Sequence, residues 1–343
     1  MVDIEKYELG KGLTDEQLST LVSTLAAGWA IYLLASSPGR FQIRSIFYKI
    51  RLTLSVVSHI FLSRDRSWSA KKVIDSGVIS GGPYTAVKTV FFIRHGESDW
   101  NDIFNRGFGP MFPVRLVMGM LRELMKLPGR DSLFVDSPLS SLGARQAQEL
   151  CAFLRSPQKD PAIAEAVATL KGEGPPSLCL VSNLRRAIST AVVGLAPRFD
   201  KGTQKLHVIS ELQEISRNPD ALSITGAKEI PNVDENPDAD QFLDGSLNTG
   251  NKPLRGTGLQ RIKAFAEWTF SRPEQTVIAT GHSLWFKHFF NTYLPKNANH
   301  VARSKKLSNC GVVSFTLYKG MKDGQAVYRI EPDTIRVITG KFM

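Results

Sequence analysis

Residues 91–101 read FFIRHGESDWN, an apolar run that breaks directly into Arg94, His95 and Gly96. Three more apolar runs end in groups able to do chemistry. SLCLVS (177–182) is followed by Asn183-Leu184-Arg185-Arg186-Ala187, LHVIS (206–210) by Glu211-Leu212-Gln213-Glu214, and TVIAT (276–280) by Gly281-His282-Ser283. Two histidines, several arginines and an acid, each at the end of such a run, form the set that phosphoryl transfer needs. Arginine forks match the oxygens of a phosphomonoester, where transition-state charge spreads. A neutral imidazole can attack phosphorus and hold a covalent intermediate, and a carboxyl group can protonate the leaving oxygen and then activate water. The glycine beside His95 reads as a position where phosphate approaches the backbone.

These residues converge only if the runs are strands of one sheet. The spacing predicts strands at 89–93, 177–182, 206–210, 276–280 and 312–318, with helices over about 140–155, 184–196, 257–271 and 283–294. Strand–helix alternation implies an α/β fold: a three-layer sandwich with a mainly parallel central sheet and helices on both faces. Such sheets bind ligands beyond the carboxyl ends of their strands, where the four groups stand.

The chain resembles the histidine phosphatase superfamily, in its phosphoglycerate mutase-like branch. The resemblance covers roughly 88–317 and rests on four segments in the family's order: Arg94-His95-Gly96-Glu97-Ser98 with Trp100-Asn101, DSPLSSLGARQAQEL (136–150), SNLRRAISTA (182–191) and TGHS (280–283). It implies a phosphatase that forms a phosphohistidine on His95 without metal or cofactor. Arg94, Arg186 and His282 would hold the phosphoryl oxygens, with Asn101 and Ser98 assisting. Glu214 would serve as general acid and base, with Glu211 as the competing candidate. After Glu214 the chain runs Ile215-Ser216-Arg217-Asn218-Pro219, without the Arg-His-Tyr-Gly-like run of the mutases, so hydrolysis is expected rather than mutase activity. A catalytically weak adaptor that uses the fold for binding is the reading from another class. The substrate class stays open among small metabolites, lipid phosphates and phosphoproteins.

The chain has 343 residues and a net charge of +11, yet no dense Lys/Arg run with interleaved aromatics, so nucleic acid is not an expected partner. Three scattered cysteines, Cys151, Cys179 and Cys310, show no CxxC spacing and suit a reducing compartment. A Gly-rich stretch, SGVISGGP (76–83), divides a helical N-terminal extension (1–85) from the catalytic domain (86–343).

Within the extension, 17–39 carries no charge, and 40–72 holds eight Lys/Arg against a single acid, Asp65. This pattern suits attachment of a cytoplasmic chain to an anionic membrane surface through 17–72, with 17–39 either spanning or packing as an amphipathic helix. Two insertions depart from the family. The first, 102–135, contains an amphipathic helix (111–127) with Arg115, Arg122 and Lys126 on its polar side, read either as a core helix or as a pocket or partner element. The second, 225–258, reads as a long mobile loop and a candidate lid.

Overall fold

The computed structural model describes residues 20, 23–24, 43–68, 75–79, 81–200, 202, 204–231 and 239–343. In chain order its main elements are α1 (Ile43–Leu62), β1 (Tyr84–Arg94), α2 (Asp99–Phe104), α3 (Phe112–Met125), α4 (Ser141–Arg155), α5 (Pro161–Leu170), β2 (Ser177–Ser182), α6 (Arg185–Gly194), α7 (Ala196–Phe199) and β3 (Leu206–Ile209). There follow β4 (Leu243–Asp244), α8 (Gly258–Ser271), β5 (Thr276–Gly281), α9 (Ser283–Tyr293), β6 (Val312–Lys322), β7 (Gln325–Ile330) and β8 (Arg336–Thr339).

The strands form one sheet in the order β4-β3-β2-β5-β1-β6-β7, with β8 also paired to β6. β1 to β5 are parallel to their neighbours, and β6 joins β1 antiparallel. The centre of the sheet is covered on both faces, which explains why its strands read as unbroken apolar runs rather than alternating ones. On β1, Phe91 and Ile93 join a core with Ala147, Leu150 and Leu154 of α4 and Val167 and Leu170 of α5. Val90 and Phe92 point to the other face, against Phe265 of α8 and Trp285, Phe286 and Phe289 of α9. The three-layer α/β expectation therefore holds.

Local chemistry fixes the ends of the helices that flank the site. Ser98 caps α2 by accepting the Asn101 N–H at 3.2 Å, and Ser140 caps α4 through the Gly143 N–H at 3.1 Å. Thr257 and Gln260 form a reciprocal capping box at α8.

The extension and the second insertion are more tightly built in than the sequence suggests. His59 and Asp65 are each only 1% exposed. They reach Ser216 of the main body through His59 Nε2 to the Ser216 carbonyl (3.2 Å) and the Ser216 N–H to Asp65 Oδ2 (3.1 Å). The described part of 225–258 is anchored rather than loose. β4 pairs with β3, Asn248 is buried, and Asn183 donates to Gly250 O at 2.9 Å. Its Asn and Gly residues satisfy buried polar groups, a use that composition alone does not distinguish from a free loop.

The uncharged run 17–39 lies outside the described residues, apart from Thr20, Ser23 and Thr24. Among the described residues no helix is long and apolar enough to cross a membrane.

Candidate active site

β1 delivers Arg94 and His95 to the carboxyl edge of the sheet, and β5 beside it delivers His282. Arg186 stands in the first turn of α6, directly after β2. That turn is held by Asp136, whose Oδ1 accepts the Arg185 N–H at 2.8 Å and whose carbonyl accepts Arg185 Nε at 2.9 Å. The segment 136–150 thus serves the site from outside it, by fixing the helix that carries Arg186.

Arg94, His95, Asn101, Arg186 and Glu214 line one cavity of about 130 Å³. At about 30 Å³ per water, that is room for roughly four waters. Trp100, Asn105, Ser216, Asn218, Asp220, Ser283, Leu284 and Lys306 complete its wall. A larger hollow of about 660 Å³ beside α4 and α6 is lined by Cys151, Arg155, Val192 and neighbours, and holds none of the chemistry-bearing set.

The imidazole of His95 is fixed at both nitrogens. Nδ1 lies 2.5 Å from the Gly96 carbonyl, so it is the protonated nitrogen, since a carbonyl only accepts. Nε2 accepts from Arg186 Nε at 3.3 Å, which requires a lone pair there. Burial, then the charges of Arg186 and Arg94, hold the ring well below the usual imidazole range, in the neutral form. His282 lies with its ring centroid 5.0 Å from that of His95. Its Nε2 meets Ser182 Oγ at 2.8 Å, while its buried Nδ1 has no partner among the described residues. Burial and the neighbouring Arg186 depress it too.

Arg94 donates to Leu307 O at 2.6 Å, and its buried Nε has no partner among the described residues. Burial pulls this guanidinium down to about 10, the Glu214 carboxylate opposing the shift. Glu214 sits at the N-terminus of α9, its Oε1 accepting from Ile215 N (2.8 Å) and Trp285 N (2.9 Å). Glu211 lies elsewhere, in a hollow with Pro253, Thr257 and Arg261. Only Glu214 of the two competing acids therefore faces the cavity.

Three other expectations land differently. His282, expected to hold phosphoryl oxygens, is fully buried next to His95 and does not line the cavity. Ser98 is fully buried and does not line the cavity; its cap on α2 sets the start of the helix that carries Asn101. Gly96 does not line it either. A Cβ on Gly96 would lie 2.6 Å from the Gly143 carbonyl, so this glycine serves the contact between the loop after β1 and α4 rather than an approach by phosphate.

The sequence reading missed Asp220. This buried carboxyl lines the cavity and lies 3.4 Å from Arg186, with Oδ1 unpartnered among the described residues. Burial raises it above the usual carboxylate range against the pull of Arg186, and Glu214 adds to the rise. No pattern in NPDAL (218–222) marks it, because its place depends on how the chain folds back after Glu214.

No family model matches this chain, and no curated protein matches it. Among solved structures it is similar to a mycobacterial glucosyl-3-phosphoglycerate phosphatase, at 15% identity and a TM-score of 0.37, over 71% of this chain and 98% of the other. It is also similar to the Bombix mori ecdysone phosphate phosphatase, at 15% identity and a TM-score of 0.39, over 66% of this chain and 88% of the other.

Proposed function

We propose that the chain is a histidine-phosphatase-type hydrolase that cleaves phosphomonoesters through a phosphohistidine on His95. The observation that carries this reading is the fixed tautomer of His95: Nδ1 is spent on Gly96 O and the Nε2 lone pair stands beside Arg186. That is the protonation state a nitrogen nucleophile requires, and burial with two guanidinium neighbours maintains it.

In the first step Nε2 attacks phosphorus and the ester P–O bond breaks. The leaving oxygen takes a proton from Glu214. In the second step Glu214 takes a proton from water, the resulting hydroxide attacks phosphorus, and the N–P bond breaks to release phosphate. Arg94 and Arg186 offer guanidinium donors to the charge that develops on the phosphoryl oxygens. The Nε of Arg94, without a partner among the described residues, supports this reading, because it is a buried polar atom on a cavity-lining residue that a phosphoryl oxygen could satisfy. The small cavity accommodates the phosphoryl group itself and leaves most of a larger leaving group outside.

The test is release of phosphate from p-nitrophenyl phosphate by the full chain with EDTA present, with His95→Ala alongside. Turnover that disappears in His95→Ala is expected. Turnover that persists in His95→Ala contradicts the assigned nucleophile. A folded parent without turnover favours the adaptor reading, and conversion of 3-phosphoglycerate without net phosphate release would mark a mutase.

A further inference from the structure

Two helices outside the site are turned inside out. On α1, Phe47, Ile50, Leu54, Val57 and Phe61 recur at helical spacing on one stripe, and all face solvent, Phe47 at 68% and Phe61 at 74% exposure. The opposite side of α1 carries the contacts to the body, through Tyr48, Lys49 and the buried His59.

α3 repeats the inversion. Its charged side faces the body: Arg122 is bidentate on the buried Asp99 at 2.9 and 3.0 Å, Arg115 donates to Gly107 O at 2.7 Å, and Lys126 pairs with Asp131. Gly119 marks the inner line, since a Cβ there would meet Ile103 Cδ1 at 2.6 Å. Met111, Val114, Met118, Leu121 and Met125 lie outward at the same helical spacing, each about half exposed.

The two helices adjoin, because Lys49 of α1 reaches Glu123 of α3 at 3.7 Å and Arg130 lies over the Tyr48 ring at 5.8 Å. Together they present one apolar face, at odds with the usual rule that a surface helix turns its apolar stripe to the core.

We propose that this face docks in the plane of an anionic lipid bilayer, with α1 and α3 lying in the headgroup–acyl boundary. Charge complementarity selects this occupant. In 43–68 the one acid, Asp65, is buried. Through 99–131 the acids are buried or half-buried, and Asp99, Asp102, Glu123 and Asp131 are all paired with Arg or Lys. Among the described residues of 43–68 and 99–131, the exposed charges without an acidic partner are cations: Arg51, Arg64, Arg66 and Arg130. A second copy seated on this face would set these arginines against their own kind with no acid to answer them. Anionic headgroups answer them while the acyl boundary takes the apolar stripes. In the sequence, α1 is preceded by 17–39, a run of 23 residues without charge, whose composition is compatible with the same surface.

The test is co-sedimentation of the full chain with vesicles of phosphatidylcholine alone and of phosphatidylcholine with phosphatidylserine. The comparison protein carries Leu54→Ser, Phe61→Ser, Met118→Ser and Leu121→Ser, all at exposed positions, and its thermal midpoint is matched to the parent to show that it folds. The parent is expected to pellet with phosphatidylserine-containing vesicles and weakly with phosphatidylcholine alone. The fourfold variant is expected to lose about tenfold or more of that binding. A parent that stays in solution overturns the proposal. Equal binding by parent and variant overturns it too, and moves attachment to 17–39. A parent that sediments as a dimer without lipid, against a monomeric variant, gives the face to a second copy and refutes the bilayer.

Discussion

Asp65→Asn removes one charge at a point where three chain segments meet. In the parent, Asp65 Oδ2 accepts from Lys252 Nζ at 2.8 Å and Oδ1 from Arg261 at 2.6 Å, with the Asp65 and Lys252 side chains only 2% and 1% exposed. Lys252 Nζ also donates to Glu214 O at 2.6 Å and Ser216 O at 2.8 Å. An acid in the N-terminal extension is thereby tied to the backbone of the proposed catalytic acid. Burial alone would raise Asp65, but Lys252 and Arg261 outweigh it and hold it below the ordinary carboxylate range.

The substitution leaves the buried Lys252 ammonium with carbonyl acceptors only. Removing one partner of a buried ion pair costs about 3–5 kcal/mol; asparagine keeps one oxygen acceptor, so about 3 kcal/mol is expected. Burial already lowers Lys252 to about 8, and Asp65 is the largest influence opposing that shift. Unfolded Lys252 therefore binds a proton that the folded chain releases between about 8 and the ordinary 10.5, so stability rises with pH through that window. In the variant the window opens at lower pH, so the penalty is largest on the acid side of that window, narrows as pH climbs toward about 8, and stays constant above it.

Urea unfolding measures this directly, and kcat against KM shows whether loosening the Glu214 backbone slows turnover without weakening binding. The pair replacement Asp65→Leu with Lys252→Met is expected to recover most of the stability. An Asp65→Asn unfolding free energy within about 0.5 kcal/mol of the parent refutes the buried-pair reasoning.

Three other outcomes follow from the same geometry. Burial, with Lys252 nearby, depresses His59 to about 4, so the unfolded chain binds its proton first and stability falls as pH drops from about 6.5 to 4. The loss reaches about 3 kcal/mol, and His59→Asn should flatten that part of the stability–pH curve; an unchanged slope removes His59 as its source. Glu214→Gln should lower kcat by about 10²–10⁴-fold and Asp220→Asn by clearly less, whereas the reverse order would transfer the acid role to Asp220. Gly143→Ala places a Cβ 1.9 Å from Glu97 O, a backbone atom that cannot swing away. It should cost about 3 kcal/mol or more in urea unfolding, and a neutral result would mean that α4 shifts freely against the loop after β1.

What the sequence made legible follows from where chemistry must sit. Arg94 ends β1, His95 and His282 directly follow β1 and β5, Arg186 and Glu214 come a few residues after β2 and β3, and a parallel sheet brings those strand ends to one rim. Asp220, Asn218 and Lys306 belong to the same wall but reach it through irregular chain, so no periodicity announces them. The helical period of 111–127 was readable, but period gives a stripe and not its direction; charged partners such as Asp99 decided that the polar side turned inward. Asp65 had one visible signal, as the single acid in a basic stretch. Its partner Lys252 lies 187 positions away, inside an insertion whose composition resembles that of a mobile loop.

The central claim is that His95 Nε2 takes the phosphoryl group. Its most direct test is a rapid alkaline quench of the full chain during turnover of p-nitrophenyl phosphate, followed by peptide mass spectrometry. The account predicts an acid-labile phosphoryl adduct on the His95 peptide, absent from His95→Ala and accumulating in Glu214→Gln when the activated leaving group needs little protonation. Steady turnover with an unmodified His95, or an adduct on another residue, contradicts it.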